Sequence, residues 1–421
     1  RDVERSRGLG DVYKRQGSQC TTDKESAKVF EAHFVKLYNT TPLEVPFEQE
    51  MVDKIAQRTI RPELGAPPSR ETIVRHVKAT KIGKAPGENG IPAEVYKALI
   101  TDDGTLGILE EIVTDFWASE EAHEDWLTGR LKVLPKKGNL KDPNNWRGIM
   151  LLDIGAKIVA SIISERLQDL LEEVGMECQN GFSRLRGCAD AGYTLKAALQ
   201  KLREHQQDSW VVFVDLAKAF DTGNRKALFQ ILRKFGVPKK LASLIEQLHT
   251  GVTVKLTVGD ADVTFPAEIG VKQGDNMAPI LFLFYMQAAT EAMERDWPVH
   301  KPQFKTKMDG ILTGRRFTTR GLIFDFWASL YADDGGFLFE SRKDLGLGCN
   351  CIFATLRAFG LQIHVKGKTE AMYIPAQLSS YSTADRSNLE VSDPSGGVVG
   401  FVPFTDVFRY LGTHILSLIH I

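Results

Sequence analysis

Three acidic side chains stand in settings where an acid is costly unless it binds a cation. Asp333 and Asp334 are adjacent within residues 330–339 (LYADDGGFLF), where strand-forming apolar residues flank them and two glycines follow. This pattern predicts a β-hairpin with both acids at its tip, because glycine readily takes the positive φ of a tight turn. Adjacent carboxylates repel each other, and a bound Mg²⁺ keeps both ionised. A solvated hairpin is the alternative, since Asp and Gly are common turn residues.

The third acid, Asp215, follows the apolar run 211–214 (VVFV) and precedes Leu216. A lone carboxylate in a buried strand is unfavourable unless it is paired or binds a metal. If this strand lies beside the hairpin, Asp215 meets Asp333 and Asp334. Three carboxylates arranged in this way can hold two divalent ions, which stabilise the attacking and leaving oxygens of a phosphoryl transfer. The sequence therefore predicts a two-metal phosphoryl-transfer site.

The segments that carry these acids resemble motifs of the reverse transcriptases, most closely those of non-LTR (LINE-type) retrotransposons. Residues 213–221 (FVDLAKAFD) resemble the first palm motif of that family, residues 270–274 (GVKQG) the second and residues 331–334 (YADD) the third. Weaker matches extend the resemblance over residues 80–415. It implies an α+β right-hand polymerase with fingers and palm, an antiparallel palm sheet packed on helices, and no thumb within these residues.

The resemblance also implies an activity and a catalytic set. The activity is that of an RNA-directed DNA polymerase, a nucleotidyltransferase that extends a DNA primer on an RNA template with dNTPs. Asp215, Asp333 and Asp334 would hold two Mg²⁺ ions, with Mn²⁺ as the other candidate ion. Lys368 lies in a segment similar to the fourth motif and would protonate the departing pyrophosphate, although His364 stands where the family has Asn. A surface lysine is the alternative reading of Lys368.

Residues 130–157 carry seven basic side chains against two acidic ones. Two strands are predicted on either side of the polar loop 136–145, so the basic side chains would cluster on one hairpin. This cluster suits a triphosphate, with Lys141 and Arg147 as the candidate ligands of its β and γ phosphates. A solvated charged face is the alternative. The family has Pro after its nucleotide-binding Arg, whereas Gly148 stands here and is expected to loosen the backbone.

Two further motif positions concern the nucleotide. A bulky aromatic at the position of Phe220 lies under the incoming sugar in this family and leaves no room for a 2′-hydroxyl, so the resemblance implies dNTP use. A core phenylalanine is the alternative. In the second motif, Gly270 and Gly274 permit close approach of nucleic acid or nucleotide, and Gln273 can hydrogen-bond there. Asp275 follows where the family usually has Cys, and an acid near a template is unusual.

Nucleic-acid contacts are expected from two segments. Residues 179–187 (QNGFSRLRG) resemble the template-contacting segment of the family, and Arg184 and Arg186 would touch phosphates without choosing a sequence. Residues 408–412 (FRYLG) resemble the hairpin that grips the primer end. The primer contacts are expected from its last three residues, Tyr410, Leu411 and Gly412.

The predicted domain organisation follows the chain. Both ends resemble translated sequencing-adapter sequence and are excluded from the fold. The predicted parts are a non-native leader at 1–16, an N-terminal helical extension at 17–80, fingers at 81–206, a palm at 207–375 with a basic insertion near 298–322, a mobile loop and primer-grip hairpin at 376–415, and a non-native tail at 416–421.

Composition sets broader expectations. The 421 residues are 43% hydrophobic and contain no run of eighteen apolar residues, which predicts a soluble chain without a membrane partner. Five cysteines without a regular framework favour a reducing, intracellular compartment, the cytoplasm or the nucleus. The net charge of −1 is low for a nucleic-acid binder, so local basic patches must supply the affinity.

The residues leave several functions open. An active polymerase is the first, and a catalytically silent nucleic-acid-binding relic, motivated by Gly148, Asp275 and the apparent truncation, is the second. An RNA-making polymerase is the third, which Phe220 disfavours. An intron-maturase-type reverse transcriptase and a telomerase relative are further alternatives. The host, the insertion target and the oligomeric state are not encoded in these motifs.

Overall fold

The computed structural model describes most of the chain. The described residues are 20, 22–39, 47–136, 138–272, 274–305, 323–364, 368–377, 387–393 and 396–417. The helices are α1 (Asp23–Asn39), α2 (Gln49–Asp53), α3 (Arg70–Ala79), α4 (Ala93–Leu99), α5 (Asp103–Ser119), α6 (Glu124–Leu127), α7 (Ile154–Val174), α8 (Cys188–Glu204), α9 (Ala219–Thr222), α10 (Arg225–Lys234), α11 (Lys239–Gln247), α12 (Ala278–Arg295) and α13 (Arg342–Ala358). Within these described ranges, no helix combines the length and apolar character that crossing a membrane requires.

The strands are numbered in the same way. They are β1 (Thr128–Pro135), β2 (Trp146–Leu151), β3 (Ser209–Val214), β4 (Thr253–Val258), β5 (Ala261–Pro266), β6 (Gln303–Lys305), β7 (Ile323–Asp325), β8 (Ala328–Tyr331), β9 (Asp334–Phe339), β10 (Glu370–Ile374), β11 (Leu389–Ser392), β12 (Val398–Val402), β13 (Val407–Tyr410) and β14 (Thr413–Leu416). Several sequence predictions fall outside the described residues: Gln273, the leader 1–16, residues 306–322 of the basic insertion, residues 378–386 of the predicted mobile loop, and residues 418–421 of the tail.

The chain divides into two compact units. The first takes in the described residues before 45 together with 52–174 and 218–285, and the second takes in the remaining described residues. The first unit contains a four-stranded sheet in the order β2-β1-β4-β5, in which β1 and β4 are parallel and the other pairs are antiparallel. The predicted basic hairpin is therefore confirmed as β1–β2.

Helix α1 covers the sheet of the first unit with three aromatic side chains. Phe30, Phe34 and Tyr38 are buried against apolar residues of β1 and β4. The helix lies so close to β2 that a Cβ on Gly148 would be 2.8 Å from the Phe34 ring and 2.9 Å from the Tyr38 hydroxyl. Gly148 pairs with Val133 inside the β1–β2 ladder. The expected loosening of the backbone at Gly148 is therefore wrong, because this glycine serves the packing of α1.

The second unit is built on an antiparallel sheet in the order β10-β3-β9-β8. Every residue of β3 is buried, as its unbroken apolar run predicts for a central strand covered on both faces. On one face Leu195 and Leu199 of α8 pack against Val211. Helix α13 approaches β9 closely, since a Cβ on its Gly348 would lie 2.1 Å from the Phe339 ring.

A buried arginine organises the second motif within the first unit. The Arg225 side chain at the start of α10 is 8% exposed and donates hydrogen bonds to four backbone carbonyls. These belong to His249, Ala267, Ile269 and Gly270, at 2.6–3.2 Å. Buried carbonyls need donors, and a guanidinium can serve several of them at once. Arg225 therefore holds the chain that leads into Gly270.

We expect Arg225→Met to lower the free energy of unfolding of the first unit by about 3 kcal/mol, because it leaves buried carbonyls without donors. Urea denaturation followed by tryptophan fluorescence measures this change. Arg233→Met is the matched control on the same helix, because its guanidinium pairs with Glu246 at the surface. The control should cost less than about 1 kcal/mol. Equal losses in the two variants would contradict the bracing role of Arg225.

Candidate active site

The sheet of the second unit brings the three predicted acids together. Strand β3 ends directly before Asp215, and its antiparallel neighbour β9 begins at Asp334. The β8–β9 connection has only two residues, Ala332 and Asp333. The acids consequently lie at the same end of one sheet, and the charge of the Asp215 carboxylate raises the pKa of both Asp333 and Asp334. The spatial relation predicted from the motifs is present.

The backbone of the turn differs from the prediction. The residue with positive φ is Ala332, at +55°, whereas Gly335 and Gly336 are inside β9 and pair with β3. A Cβ on Gly335 would lie 2.9 Å from the Phe337 ring, and one on Gly336 would lie 3.2 Å from Leu195 of α8. The expectation that the two glycines supply the positive φ of the turn is therefore wrong. They allow close packing of the strand.

Burial and mutual repulsion perturb the paired acids. Burial raises the pKa of Asp333, and the Asp215 carboxylate raises it further. Burial also raises the pKa of Asp334 to about 6, with added contributions from the charges of Asp333 and Asp215. The Lys368 ammonium opposes both shifts. Carboxylates that raise one another's pKa gain the most from sharing a divalent cation.

Asp215 is held by the segment that precedes β10. The Lys368 ammonium donates to Asp215 Oδ2 at 3.1 Å, and His364 Nε2 lies 3.8 Å from the same oxygen. The backbone N–H of Asp215 donates to the hydroxyl of Thr369, a fully buried side chain, at 3.3 Å. The sequence analysis did not single out Thr369. The only available signal was its position beside Lys368.

The donor chemistry of this cluster fits a divalent metal ion. Carboxylate oxygens are the ligands that Mg²⁺ prefers, and Mg²⁺ commonly completes its shell with water and substrate phosphates. Across the ranges that the structure describes, no group of three or more His, Cys, Asp or Glu side chains is arranged so that it could hold a metal ion by itself. The binding of divalent ions by Asp215, Asp333 and Asp334 stays a prediction.

The predicted template residues lie on the loop between α7 and α8. Both Arg184 and Arg186 are exposed, and the Arg186 guanidinium donates to the Glu177 carbonyl at 2.7 Å. Phe182 and Leu185 of the same loop are exposed and have φ of +53° and +59°. The loop therefore presents two guanidinium groups and two apolar side chains to solvent.

The predicted primer-grip residues lie at the β13–β14 turn. The Tyr410 side chain is 2% exposed, and its hydroxyl donates to the Ser329 carbonyl of β8 at 2.6 Å. Leu411 and Gly412 form the turn itself, with φ of +49° and +83°. Tyr410 therefore fastens the hairpin to the sheet of the acids, and of the three predicted contact residues Leu411 and Gly412 remain accessible.

The predicted nucleotide residues belong to the first unit. Lys141 and Arg147 are exposed, on the β1–β2 loop and on β2. Phe220 is half-buried and stacks on Phe282, with ring centroids 4.3 Å apart. Gly274 has φ +110°, and a Cβ there would lie 2.3 Å from the carbonyl oxygen of Met150 in β2. The structure thus brings Gly274 of the second motif against the strand that carries Arg147.

The Asp275 carboxylate is buried and is hydrogen-bonded within the protein. Its side chain is 1% exposed, and Oδ1 accepts the backbone N–H of Met277 at 3.0 Å, just before α12 begins. Oδ2 lies 3.8 Å from His249 Nε2. The buried Lys272 ammonium, which donates to the Leu248 carbonyl at 2.6 Å, interacts with the Asp275 charge. Asp275 therefore stabilises the turn that leads into α12 and balances a buried cation.

Comparison with known proteins identifies the family to which this arrangement belongs. The family model described as "Reverse transcriptase (RNA-dependent DNA polymerase)" matches residues 134–415, which is more than half of the chain. The chain belongs to the reverse transcriptase family. The predicted resemblance is thus confirmed, and the match includes all three acids and Lys368.

The relatives of this reverse transcriptase chain are non-LTR retrotransposon proteins. The Pol polyprotein of the type-1 retrotransposable element R2 of Popillia japonica is 30% identical over 159 residues, covering 37% of this chain and 22% of that protein. The Pol polyprotein of the type-2 retrotransposable element R2DM of Drosophila melanogaster is 26% identical over 208 residues, covering 49% and 19%. The chain spans about a fifth of the length of these relatives.

Among solved structures, that of apo telomerase from Candida tropicalis, truncated from its C-terminal domain, aligns with a TM-score of 0.46 at 12% identity. The alignment covers 78% of this chain and 59% of that chain.

The buried Lys272 of the second motif makes a testable contribution to pH dependence. Burial lowers its pKa from 10.5 to about 8, with Asp275 opposing the shift and Arg225 adding to it. Between these two pH values the unfolded chain binds more protons than the folded chain, so the free energy of unfolding rises with pH. We expect Lys272→Met to remove up to about 1.4 kcal/mol per pH unit from that rise. Urea denaturation at pH 8 to 10 measures the slope of the free energy of unfolding against pH. An unchanged slope in Lys272→Met would contradict the lowered pKa of Lys272.

Proposed function

We propose that the chain is the fingers-and-palm core of an RNA-directed DNA polymerase from a non-LTR retrotransposon, which extends a DNA primer on an RNA template with dNTPs. One observation carries this proposal: Asp215, Asp333 and Asp334 lie at the same end of one sheet, beside Lys368. Membership of the reverse transcriptase family supports the reaction type. The sheet of these acids would be the palm, and the β1–β2 hairpin would belong to the fingers.

The acids would act as the ligands of two Mg²⁺ ions, or of Mn²⁺ in their place. When bound, such ions lower the pKa of the attacking 3′-hydroxyl and offset the charge that develops on the leaving pyrophosphate. The three carboxylates supply hard oxygen donors, and the raised pKa values of Asp333 and Asp334 express the cost of burying them beside other carboxylates without a cation. Lys368, whose side chain is 58% exposed, has an ammonium proton to donate to the leaving group.

Other side chains would bind the substrates. Exposed Lys141 and Arg147 suit the triphosphate, and the Arg184–Arg186 loop suits template phosphates. Phe220 would exclude the 2′-hydroxyl of an rNTP. Gln273 would hydrogen-bond near the nucleotide, and Gly274 and the Leu411–Gly412 turn would let nucleic acid approach the backbone. An A-form hybrid would be held through phosphates and 2′-hydroxyls rather than through its bases.

Two departures from the family pattern that motivated the silent-relic alternative have packing roles. Gly148 allows α1 to pack on β2, and Asp275 stabilises the turn before α12 while balancing Lys272. Both departures from the family pattern therefore have a role in folding. Neither one displaces an acid of the proposed site.

We expect Asp333→Asn to abolish primer extension while leaving template–primer binding intact, because it removes one proposed ligand charge and keeps the side-chain shape. Extension of a DNA primer on an RNA template with dNTPs and Mg²⁺ should fall at least about a thousandfold. The dissociation constant of the duplex, from fluorescence anisotropy, should stay within about twofold.

Asp325→Asn is the matched control, because Asp325 is an exposed acid on β7 of the same unit. It should extend the primer like the unaltered chain. Continued synthesis by Asp333→Asn would remove that residue from the catalytic set. Duplex binding without any extension by the unaltered chain would favour the silent relic.

We expect Phe220→Val to admit rNTPs, since a smaller side chain leaves space for the 2′-hydroxyl. The ratio of rNTP to dNTP incorporation efficiency (kcat/KM) should rise by about tenfold or more. Phe282→Leu is the control, because Phe282 stacks on Phe220 and tests whether loss of ring packing alone changes selectivity. An unchanged ratio in Phe220→Val would assign that ring to the core only.

A further inference from the structure

We infer that Gln179 is a positioning residue for the acids of the β8–β9 turn, and that it acts by holding Ala332 in its left-handed conformation. The inference rests on the proposed function for the role of Asp333. It concerns a residue that the sequence analysis placed only in a template-contacting segment.

The turn needs outside support because of its backbone. Ala332 has φ +55° and directly precedes Asp333. Residues with a Cβ rarely adopt this conformation, whereas glycine adopts it freely. The direction in which Asp333 points depends on this dihedral angle, since only one peptide unit separates the two residues. A change at Ala332 would therefore move the carboxylate away from Asp215.

The Gln179 side chain binds both backbone groups of Ala332. Its Oε1 accepts the Ala332 N–H at 2.8 Å, and its Nε2 donates to the Ala332 carbonyl at 3.3 Å. The same Oε1 accepts the N–H of Gly181 at 2.8 Å. Ala332 lies outside the β8–β9 ladder. The Gln179 carboxamide thus supplies the two hydrogen bonds that a neighbouring strand would otherwise provide.

Gln179 is itself held by backbone pairing. The N–H of Leu330 donates to the Cys178 carbonyl at 2.8 Å, and the N–H of Asn180 donates to the Leu330 carbonyl at 2.8 Å. These bonds add residues 178–180 to the edge of the sheet as a short parallel neighbour of β8. The carboxamide therefore reaches the turn from a fixed position.

Gly181 makes the close approach sterically feasible. A Cβ at this position would lie 2.3 Å from the Ala332 nitrogen and 2.9 Å from the Tyr331 carbonyl carbon. Only glycine fits there without displacing the turn. The start of the loop is thus a partly buried brace for the acids, whereas Arg184 and Arg186 later in the loop are exposed.

The test replaces Gln179 with methionine, which has a similar length but lacks the carboxamide. We expect kcat for primer extension to fall about tenfold, with the KM for dNTP and the duplex dissociation constant within about twofold, because the lost bonds hold the turn and not a substrate. Exchange of the Ala332 amide hydrogen, followed by mass spectrometry, should become about tenfold faster. Gln200→Ala, an exposed glutamine on α8, is the matched control and should change neither quantity.

A second substitution separates a specific brace from general damage. Ala332→Gly removes the strain of the left-handed residue, so the turn depends less on the carboxamide. In the Ala332→Gly background we expect Gln179→Met to lower kcat by about threefold or less. Circular dichroism checks that each variant is folded.

The amide-exchange measurement needs no catalysis, so it tests the brace even if the chain fails to extend a primer. Unchanged exchange at Ala332 in Gln179→Met would overturn the inference. A loss of kcat as large in the Ala332→Gly background as in the unaltered one would overturn it as well. Absence of extension by the unaltered chain, with faster exchange in Gln179→Met, would count against the proposed function alone.

Discussion

The antiparallel register of β3 against β9 is the constraint on which the site depends. It sets Val214 opposite Gly335, so the chain leaves β3 at Asp215 where it enters β9 at Asp334. The cost of this register is electrostatic, because burial and mutual repulsion raise the pKa of the paired acids. Carboxylates brought together in this way need a cation, and Lys368 supplies one charge to Asp215. The strand pairing thus holds three mutually repelling carboxylates close together.

The remainder of the second unit keeps that register from slipping. Apolar side chains of α8 cover β3, and Gly336 of β9 lets α8 approach that strand closely. Hydrogen bonds position individual residues. The Thr369 hydroxyl accepts the backbone N–H of Asp215, and the Tyr410 hydroxyl fastens the β13–β14 hairpin to β8. Apolar burial therefore secures the sheet, and directional hydrogen bonds secure the positions of individual residues.

The charged side chains of the first unit fall into two groups, one exposed and one buried. Lys141 and Arg147 are exposed, where a polyanion can reach them. Arg225, Lys272 and Asp275 are buried and serve the backbone around the second motif. Residue type alone does not distinguish these roles, since a cation can bind a phosphate or a row of carbonyls. Burial decides between them, because a buried guanidinium or ammonium must satisfy groups within the protein.

Local patterns in the sequence determined much of this protein. The β1–β2 hairpin follows from strand-forming residues on either side of a polar loop, and the order of the acidic motifs pointed to the family. Tertiary structure alone decided that Ala332 and not a glycine takes the positive φ, that Tyr410 is buried, and that Gln179 and Thr369 hold the acids. These contacts join residues far apart in the chain. They depend on strand register and helix packing, which no local pattern encodes.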